Sequence, residues 1–280
     1  MTIHKFPPRR ILVPTDLSGT SVPAINFARV LHDQFGAAVA VLHAHHFDLP
    51  PYFSGAQIEK LKRELKQSTR LATEYLRRES KSSLGFEAEI SVVEAAPAEA
   101  ILEGSRAADV DLIVMGTHGR QGVSRFWLGS VAERILHESS KPVLLVRQGM
   151  RAAFFERIMC PVSFSGPGQA ALEYAVAIAD AGKLRLTVLH SVEEGDQPPD
   201  CALVPEAVRG RCTLEELIYQ GDAAASILRA TQEIKPDLII MGAERRLSMF
   251  GKLFSSTTEQ IMQGGEAPLL IVPRPKTQRI

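Results

Sequence analysis

Short apolar runs alternate along this chain with longer stretches in which apolar residues recur every three or four positions. Ile11 to Pro14, Val39 to His43, Leu112 to Met115 and Val143 to Val146 read as buried strands, and Phe86 to Val93 alternates as a half-exposed one. Between them, Val22 to Phe35 has helical spacing through Ile25, Ala28, Val30 and Leu31, with Gly36 as its stop. Ala56 to Lys81 predicts a long charged helix with one apolar stripe at Ile58, Leu61, Leu65, Thr69, Ala72 and Leu76. Pro97 to Ala107 predicts a further helix with proline in its first turn. Strand, helix, strand in this order is the pattern of parallel βαβ units, hence of an α/β fold.

The pattern then repeats. Ile158 to Pro161 answers Ile11 to Pro14, and Val188 to His190 answers Val41 to His43, both at an offset of 147 residues. Leu238 to Gly242 answers Leu112 to Gly116, and Pro268 answers Pro142, at an offset of 126. The second copy is therefore shorter by 21 residues, roughly the length of the charged helix of the first. Residues 148–152 read as the linker, which divides the chain into domains at 1–148 and 152–280.

The candidate chemistry lies in the stretch from Asp111 to Arg147. Its strand ends in a loop carrying Gly116, Gly119 and Gly122, and Gly129 and Ser130 then open a helix. Gly116, Gly119 and Gly129 lack a Cβ, so the backbone can turn with positive φ and a ligand can come close to the N–H groups. Ser130 stands where an N-cap is expected, with Glu133 completing a capping box, and the first helical turn offers free N–H donors and the positive end of the dipole. Such a start holds an anion, above all a nucleotide phosphate. The second copy keeps Gly242, Ser256 and Glu259 but puts Arg245 for Gly119, Ser255 for Gly129 and Ser163 for Asp16. A fold that manages without those glycines points to a ligand role for them in the first half.

Composition removes several alternatives. At 45% hydrophobic and 23% charged residues the chain has the make-up of an ordinary globular protein, and 280 residues suit two domains. Lys plus Arg and Asp plus Glu number 32 each, so no global charge draws it to nucleic acid or an anionic membrane. Cys160, Cys201 and Cys212 show no metal-ligand spacing and read as reduced thiols of a cytoplasmic protein. The first residues hold no apolar segment of signal-peptide length, and nowhere do about 18 apolar residues run together, so neither export nor a membrane span is expected. No Gly-Lys-Ser/Thr triplet follows the glycines, and no nucleophile elbow or kinase catalytic loop occurs, so any ATP turnover is expected to be slow. His43, His45 and His46 raise the separate idea of a transition-metal site completed by Asp48. Against it, His190 answers His43 without a neighbouring histidine, which suggests packing or hydrogen bonding.

With those residues in view, the chain resembles the universal stress protein family, in its tandem two-domain form. The family's nucleotide signature of Gly, two residues, Gly, nine residues, Gly and Ser or Thr is met by Gly116, Gly119, Gly129 and Ser130. The resemblance implies two doubly wound five-stranded parallel sheets in the order 3-2-1-4-5, with the ligand crevice between the carboxyl ends of the first and fourth strands. It implies ATP with Mg2+, or AMP or ADP, held by Pro14, Thr15, Asp16, Ala44 and Met115 at the nucleoside end. The phosphates then fall to Gly116, His118, Gly119, Gly129, Ser130 and Val131. It further implies a role in stress adaptation and pairing through the last strand of each sheet, as an intramolecular pseudo-dimer or a homodimer. The degenerate second half is not expected to bind ATP in this manner, although Arg245 and Arg246 could meet an anion. Two other readings stand beside this one: an interaction platform without nucleotide, and a small hydrophobic ligand at Met249, Phe250, Leu253 and Phe254.

Overall fold

A computed structural model describes residues 6–46, 52, 54–107, 109–117, 128–197, 203–206, 209–242 and 256–273. The first half runs β1 (Arg10–Thr15), a 3-10 turn (Gly19–Ser21), α1 (Val22–Phe35), β2 (Ala38–His45), α2 (Gly55–Leu84), β3 (Glu89–Glu94), α3 (Pro97–Ala107), β4 (Leu112–Gly116), α4 (Ser130–Glu138) and β5 (Val143–Val146). The second half runs β6 (Arg157–Pro161), α5 (Gly166–Gly182), β7 (Arg185–Val192), β8 (Thr213–Gln220), α6 (Ala223–Ile234), β9 (Leu238–Gly242), α7 (Ser256–Gly264) and β10 (Leu269–Val272).

The described strands join one ten-stranded sheet in the order β3-β2-β1-β4-β5-β10-β9-β6-β7-β8. Each half thus has the order 3-2-1-4-5 with parallel pairing throughout. The halves meet at one antiparallel pair, β5 with β10, where Leu144 lies opposite Leu270. Side chains alternate between the faces of the sheet. Ile11, Val13, Val41, Leu112, Val114 and Leu144 face α1, α5 and the end of α2. Leu12, Leu42, Ile113, Met115 and Leu145 face α3, α4, α6 and α7. Both apolar layers continue across the junction, so the two halves share their core.

The linker strengthens that junction. Arg147 to Met150 forms a turn with Gly149 in the left-handed region (φ 87°), and the chain then runs extended to β6. Phe155 is buried, its ring stacked on Phe27 with centroids 6.3 Å apart. The Gln34 amide clasps the Phe155 backbone from both sides, donating to its carbonyl (2.9 Å) and accepting from its N–H (3.0 Å). Phe6 packs edge-on against Phe35 of the first half and Tyr174 of the second. Below them lies a small apolar gap lined by three equivalent pairs, Leu31 and Ile178, Leu112 and Leu238, Leu144 and Leu270.

Sequence periodicity locates α1 and α3 to the residue, and Gly36 ends α1 in the left-handed region as expected (φ 75°). The expected strand from Phe86 starts later, at Glu89. Gly85 terminates α2 (φ 84°), and Phe86 turns back to lie on the His32 ring, 3.9 Å between centroids. Pairing with β2 therefore begins at Ala40 and Glu89. In the second half, residues 193–212 join β7 to β8 where the first half has α2. Leu203 and Val204 from this connection are buried in the same layer as Leu76 and Leu84 of α2, and the Leu203 N–H donates to Glu216 (2.7 Å). Among the described residues of this connection, Leu203 and Val204 occupy core that a 30-residue helix covers in the first half.

Candidate functional site

The two halves are alike at the amino-terminal edge of the sheet and differ at the carboxyl edge. At the amino edge, the Asp111 carboxylate accepts the N–H groups of Arg9 (2.7 Å) and Arg10 (3.2 Å). Asp237 does the same for Glu156 (3.0 Å) and Arg157 (2.8 Å). At the carboxyl edge, β1 and β4 are in register only at Ile11 with Leu112 and Leu12 with Ile113, although β1 runs on to Thr15 and β4 to Gly116. β1 stays paired with β2 as far as Thr15 and His43, and β4 with β5 as far as Gly116 and Val146. The central strands thus part, and the switch point where open α/β sheets bind ligands lies between them.

One wall of this crevice is the turn after β1. Leu17 has φ 63°, a left-handed conformation that costs an L residue roughly 1–2 kcal/mol. Asp16 holds the turn in place: its Oδ1 accepts the Ser18 N–H (3.0 Å), the Ser18 hydroxyl (2.6 Å) and the Ser21 hydroxyl (2.7 Å). The Asp16 N–H donates in turn to Ser21 Oγ (3.2 Å). The sequence marks Thr15 to Ser18 as a turn with a helix cap, and Ser18 does cap the 3-10 turn; an aspartate bonding its backbone two residues on is the signal there, whereas Ser21 carries none. Pro14 and Ala44 are half-buried, and Thr15 and Met115 are buried.

The opposite wall is the start of α4. The Thr117 N–H donates to the Val146 carbonyl (3.0 Å), and the Gly129 N–H to the Thr117 carbonyl (2.8 Å), so the two ends of the 118–127 segment are stitched together. This corrects three expectations. Neither Gly116 nor Gly129 has a positive φ; Gly129 sits at −66°. The Gly129 N–H is already committed to Thr117. Gly129, not Ser130, is the N-cap, no side-chain capping bond forms, and Ser130 is the first helical residue, which removes the Ser130–Glu133 capping box. The first helical bond runs from the Glu133 N–H to the Gly129 carbonyl (2.9 Å), so the N–H groups of Ser130, Val131 and Ala132 precede it and lack an intrahelical acceptor. They are the candidate donors for an anion. His118 and Gly119 lie outside the described residues, as do Gly122, Arg245, Arg246, Ser255 and the apolar run from Met249 to Phe254.

The histidines separate by role. His43 is buried with its Nδ1 on the Thr15 carbonyl (2.8 Å), and His190 repeats this contact with the Val162 carbonyl (2.9 Å). Among the described residues no group of three or more His, Cys, Asp or Glu is placed to hold a metal ion; Asp48 lies outside them. Cys160 is buried, which pushes its thiol well above the usual range, and Cys212 is half-buried. Among the described residues no helix is long and apolar enough to cross a membrane.

The second half is built differently at its crevice. Ser163 replaces Asp16, and its hydroxyl meets that of Ser165 (2.7 Å). α5 begins at Gly166, without the 3-10 turn that precedes α1. The backbone consequently lies directly on the end of β9: a Cβ on Gly242 would sit 2.2 Å from the Pro167 carbonyl oxygen, and one on Gly168 would sit 2.1 Å from the Ser163 oxygen. Gly242 is thus required by packing. In the first half the position of Gly168 is taken by Ser21, whose side chain serves Asp16.

The Universal stress protein family profile matches residues 8–147 and again residues 154–273. The chain belongs to the universal stress protein family. A family member of Methanocaldococcus jannaschii is 33% identical over 149 residues, which span 50% of this chain and 82% of that one. A universal stress protein of Mycolicibacterium smegmatis is 23% identical over 295 residues, spanning 95% of this chain and 97% of that one, so it shares the doubled length. Among solved structures, a universal stress protein from Archaeoglobus fulgidus superposes with a TM-score of 0.75 at 22% identity, covering 96% of this chain and 100% of that one. That likeness shows the shared fold.

Proposed function

We propose that this universal stress protein binds one adenine nucleotide per chain, in its N-terminal half, and regulates a stress response through occupancy of that site. ATP with Mg2+ is the ligand of first choice, with ADP and AMP as alternatives. The observation that supports this reading is the contrast between two crevices of equal topology. The first carries a carboxylate-held turn at Asp16 and a helix start whose first N–H groups lack an intrahelical acceptor, and the second has its own backbone seated on the end of β9.

In this reading the N–H groups of Ser130 and Val131, with Gly129 contributing no side chain to obstruct them, receive phosphate oxygens. Gly116, His118 and Gly119 line the same end. Pro14, Thr15, Asp16, Ala44 and Met115 flank the nucleoside end. Among the described residues of the set, the Asp16 carboxylate is engaged in its own turn, which suits a sensor better than an ATPase. The divide between residues 148 and 152 separates a binding domain from a partner domain within a cytoplasmic pseudo-dimer. The β5–β10 pair supports that arrangement.

Calorimetric titration of Mg2+-ATP into the wild type, Asp16→Ser and Gly119→Arg tests the proposal, the variants copying the second half into the first. One equivalent bound by the wild type and none by either variant is expected. Two equivalents would show that the second half also binds, and no binding would make the protein an interaction platform.

A further inference from the structure

The second half leaves open a strip of the sheet that the first half covers with α2. Phe164, in the turn after β6, lies on the His190 ring with centroids 4.7 Å apart, and His190 pairs with Ile218 of β8. The three form one row, in which Phe164 is 61% exposed, Ile218 45% exposed and His190 half-buried. Their counterparts in the first half are Leu17, His43 and Val92, the last two again a cross-strand pair. There Leu17 and Val92 are half-buried against the core that holds Leu76 and Leu84 of α2, and His43 is buried. α2 packs on α1 and β3, and its 30 residues, about 45 Å, outreach the 6 residues of β3, about 20 Å.

The connection that stands in for α2 ends this cover early. Leu203 and Val204 fill the core, and Arg209 pairs with Glu216. The next residue of β8 on that face is Ile218, which stays open. Phe164 and Ile218 are thus larger than the residues they replace and yet less covered. An exposed apolar row rimmed by charge marks an interaction surface. The rim here is acidic: Glu193, Glu194 and Asp196 follow β7 and are exposed, and residues 186–208 hold five acids and no Lys or Arg.

We infer that this strip docks a basic amphipathic helix of a partner protein, in the place that α2 fills in the first half. The apolar stripe of that helix covers Phe164 and Ile218, and Lys or Arg beside the stripe meets Glu193, Glu194 and Asp196. α2 itself shows the chemistry that this face of the fold accepts. It carries apolar residues at Ile58, Leu61 and Leu65, with eight Lys or Arg against four Glu over residues 55–84. Because α2 is held on its own half, the occupant comes from another chain.

The probe is a fluorescein-labelled peptide of residues 55–84, titrated with the full chain by fluorescence polarisation at low salt, where exposed charges are least screened. The wild type should bind it saturably and ignore a scrambled peptide of the same composition. Phe164→Ser and Ile218→Thr should each weaken binding about tenfold through the lost apolar cover. Glu193→Lys combined with Glu194→Lys should weaken it about fivefold. Leu71→Ser, at a 58% exposed position of the first half, should change nothing. All of these variants should melt within about 2 °C of the wild type, since they alter exposed side chains. No saturation up to about 1 mM peptide, or equal binding of the scrambled peptide, overturns the inference. Binding that survives both Phe164→Ser and Ile218→Thr overturns it by placing the peptide elsewhere. A Phe164→Ser chain that melts more than about 5 °C lower overturns it by making the ring structural. A wild type that sediments as a dimer, with Phe164→Ser a monomer, overturns it by assigning the strip to a second copy.

Discussion

Gly242→Ala separates a glycine kept for packing from one kept for a ligand. The new methyl carbon would lie 2.2 Å from the Pro167 oxygen, 2.4 Å from the Pro167 carbonyl carbon and 3.0 Å from the Gly168 nitrogen. Non-bonded carbon contacts are comfortable at roughly 3.5 Å or more, so the turn after β6 must retreat from β9 by about 1 Å. The obstructing atoms are backbone at the start of α5, which itself packs on β9 and β10, so no side-chain rotation relieves the clash. Overpacking a core typically costs 1–3 kcal/mol, and a rigid obstacle places this case near the top of that range. At about 3 kcal/mol, the melting temperature should fall by about 6–12 °C in a domain of this size. Gly166→Ala is the matched control: it lies one residue before Pro167, has nothing within 4 Å of the added carbon, and should melt within about 2 °C of the wild type. Circular dichroism melts of the three proteins decide the matter. If Gly242→Ala melts with the wild type, the backbone does not sit on β9 as described. Gly242 would then need a ligand to explain it, and the contrast between the two crevices would fail.

Other consequences concern the junction and the core. Phe155→Ala should destabilise by about 3–5 kcal/mol through the cavity it leaves, and Gln34→Ala by about 1–3 kcal/mol through the lost clasp on the Phe155 backbone. Urea unfolding measures both, and losses under about 0.5 kcal/mol would mean that the linker does not help to join the halves. Burial pushes the Cys160 thiol and the Tyr174 hydroxyl upward, Asp111 adding to the effect on Tyr174. The folded protein then keeps protons that the unfolded chain releases, so this stabilisation is complete below the unfolded values and is lost as pH rises. The loss begins near pH 8.5 for the thiol and near pH 10 for the phenol, at about 1.4 kcal/mol per pH unit for each group. Urea midpoints measured from pH 7.5 to 9.5 should decline in the wild type and stay nearly level in Cys160→Ala; parallel profiles would contradict the burial of the thiol.

Much of this protein was legible in one dimension. Periodicity located α1 and α3 to the residue because each has one apolar face and a marked end, Pro97 for α3 and Gly36 for α1. The internal offsets announced two copies of one unit, and the gap between the offsets pointed to a missing helix, since a repeated core demands repeated apolar strands. The candidate site was partly legible. Asp16 follows β1, Gly116 ends β4 and Ser130 opens α4, but the cap belongs to Gly129, and the N–H of Gly129 is already bonded to Thr117. Cap identity depends on how the chain enters the helix, and residue type does not determine that path.

The order of apolar and polar residues determined the α/β class, the doubling and the position of the glycine loop, because burial on a strand or helix face depends mainly on local spacing. Tertiary structure alone decided which atoms remain without partners and which backbones touch. Gly242 is needed because Pro167, seventy-five positions earlier, lies against it. His45 Nε2 is idle while His43, two residues away, is satisfied by Thr15. The antiparallel β5–β10 pair joins strands separated by half the chain. Such contacts depend on where distant segments arrive in space, which no local pattern encodes.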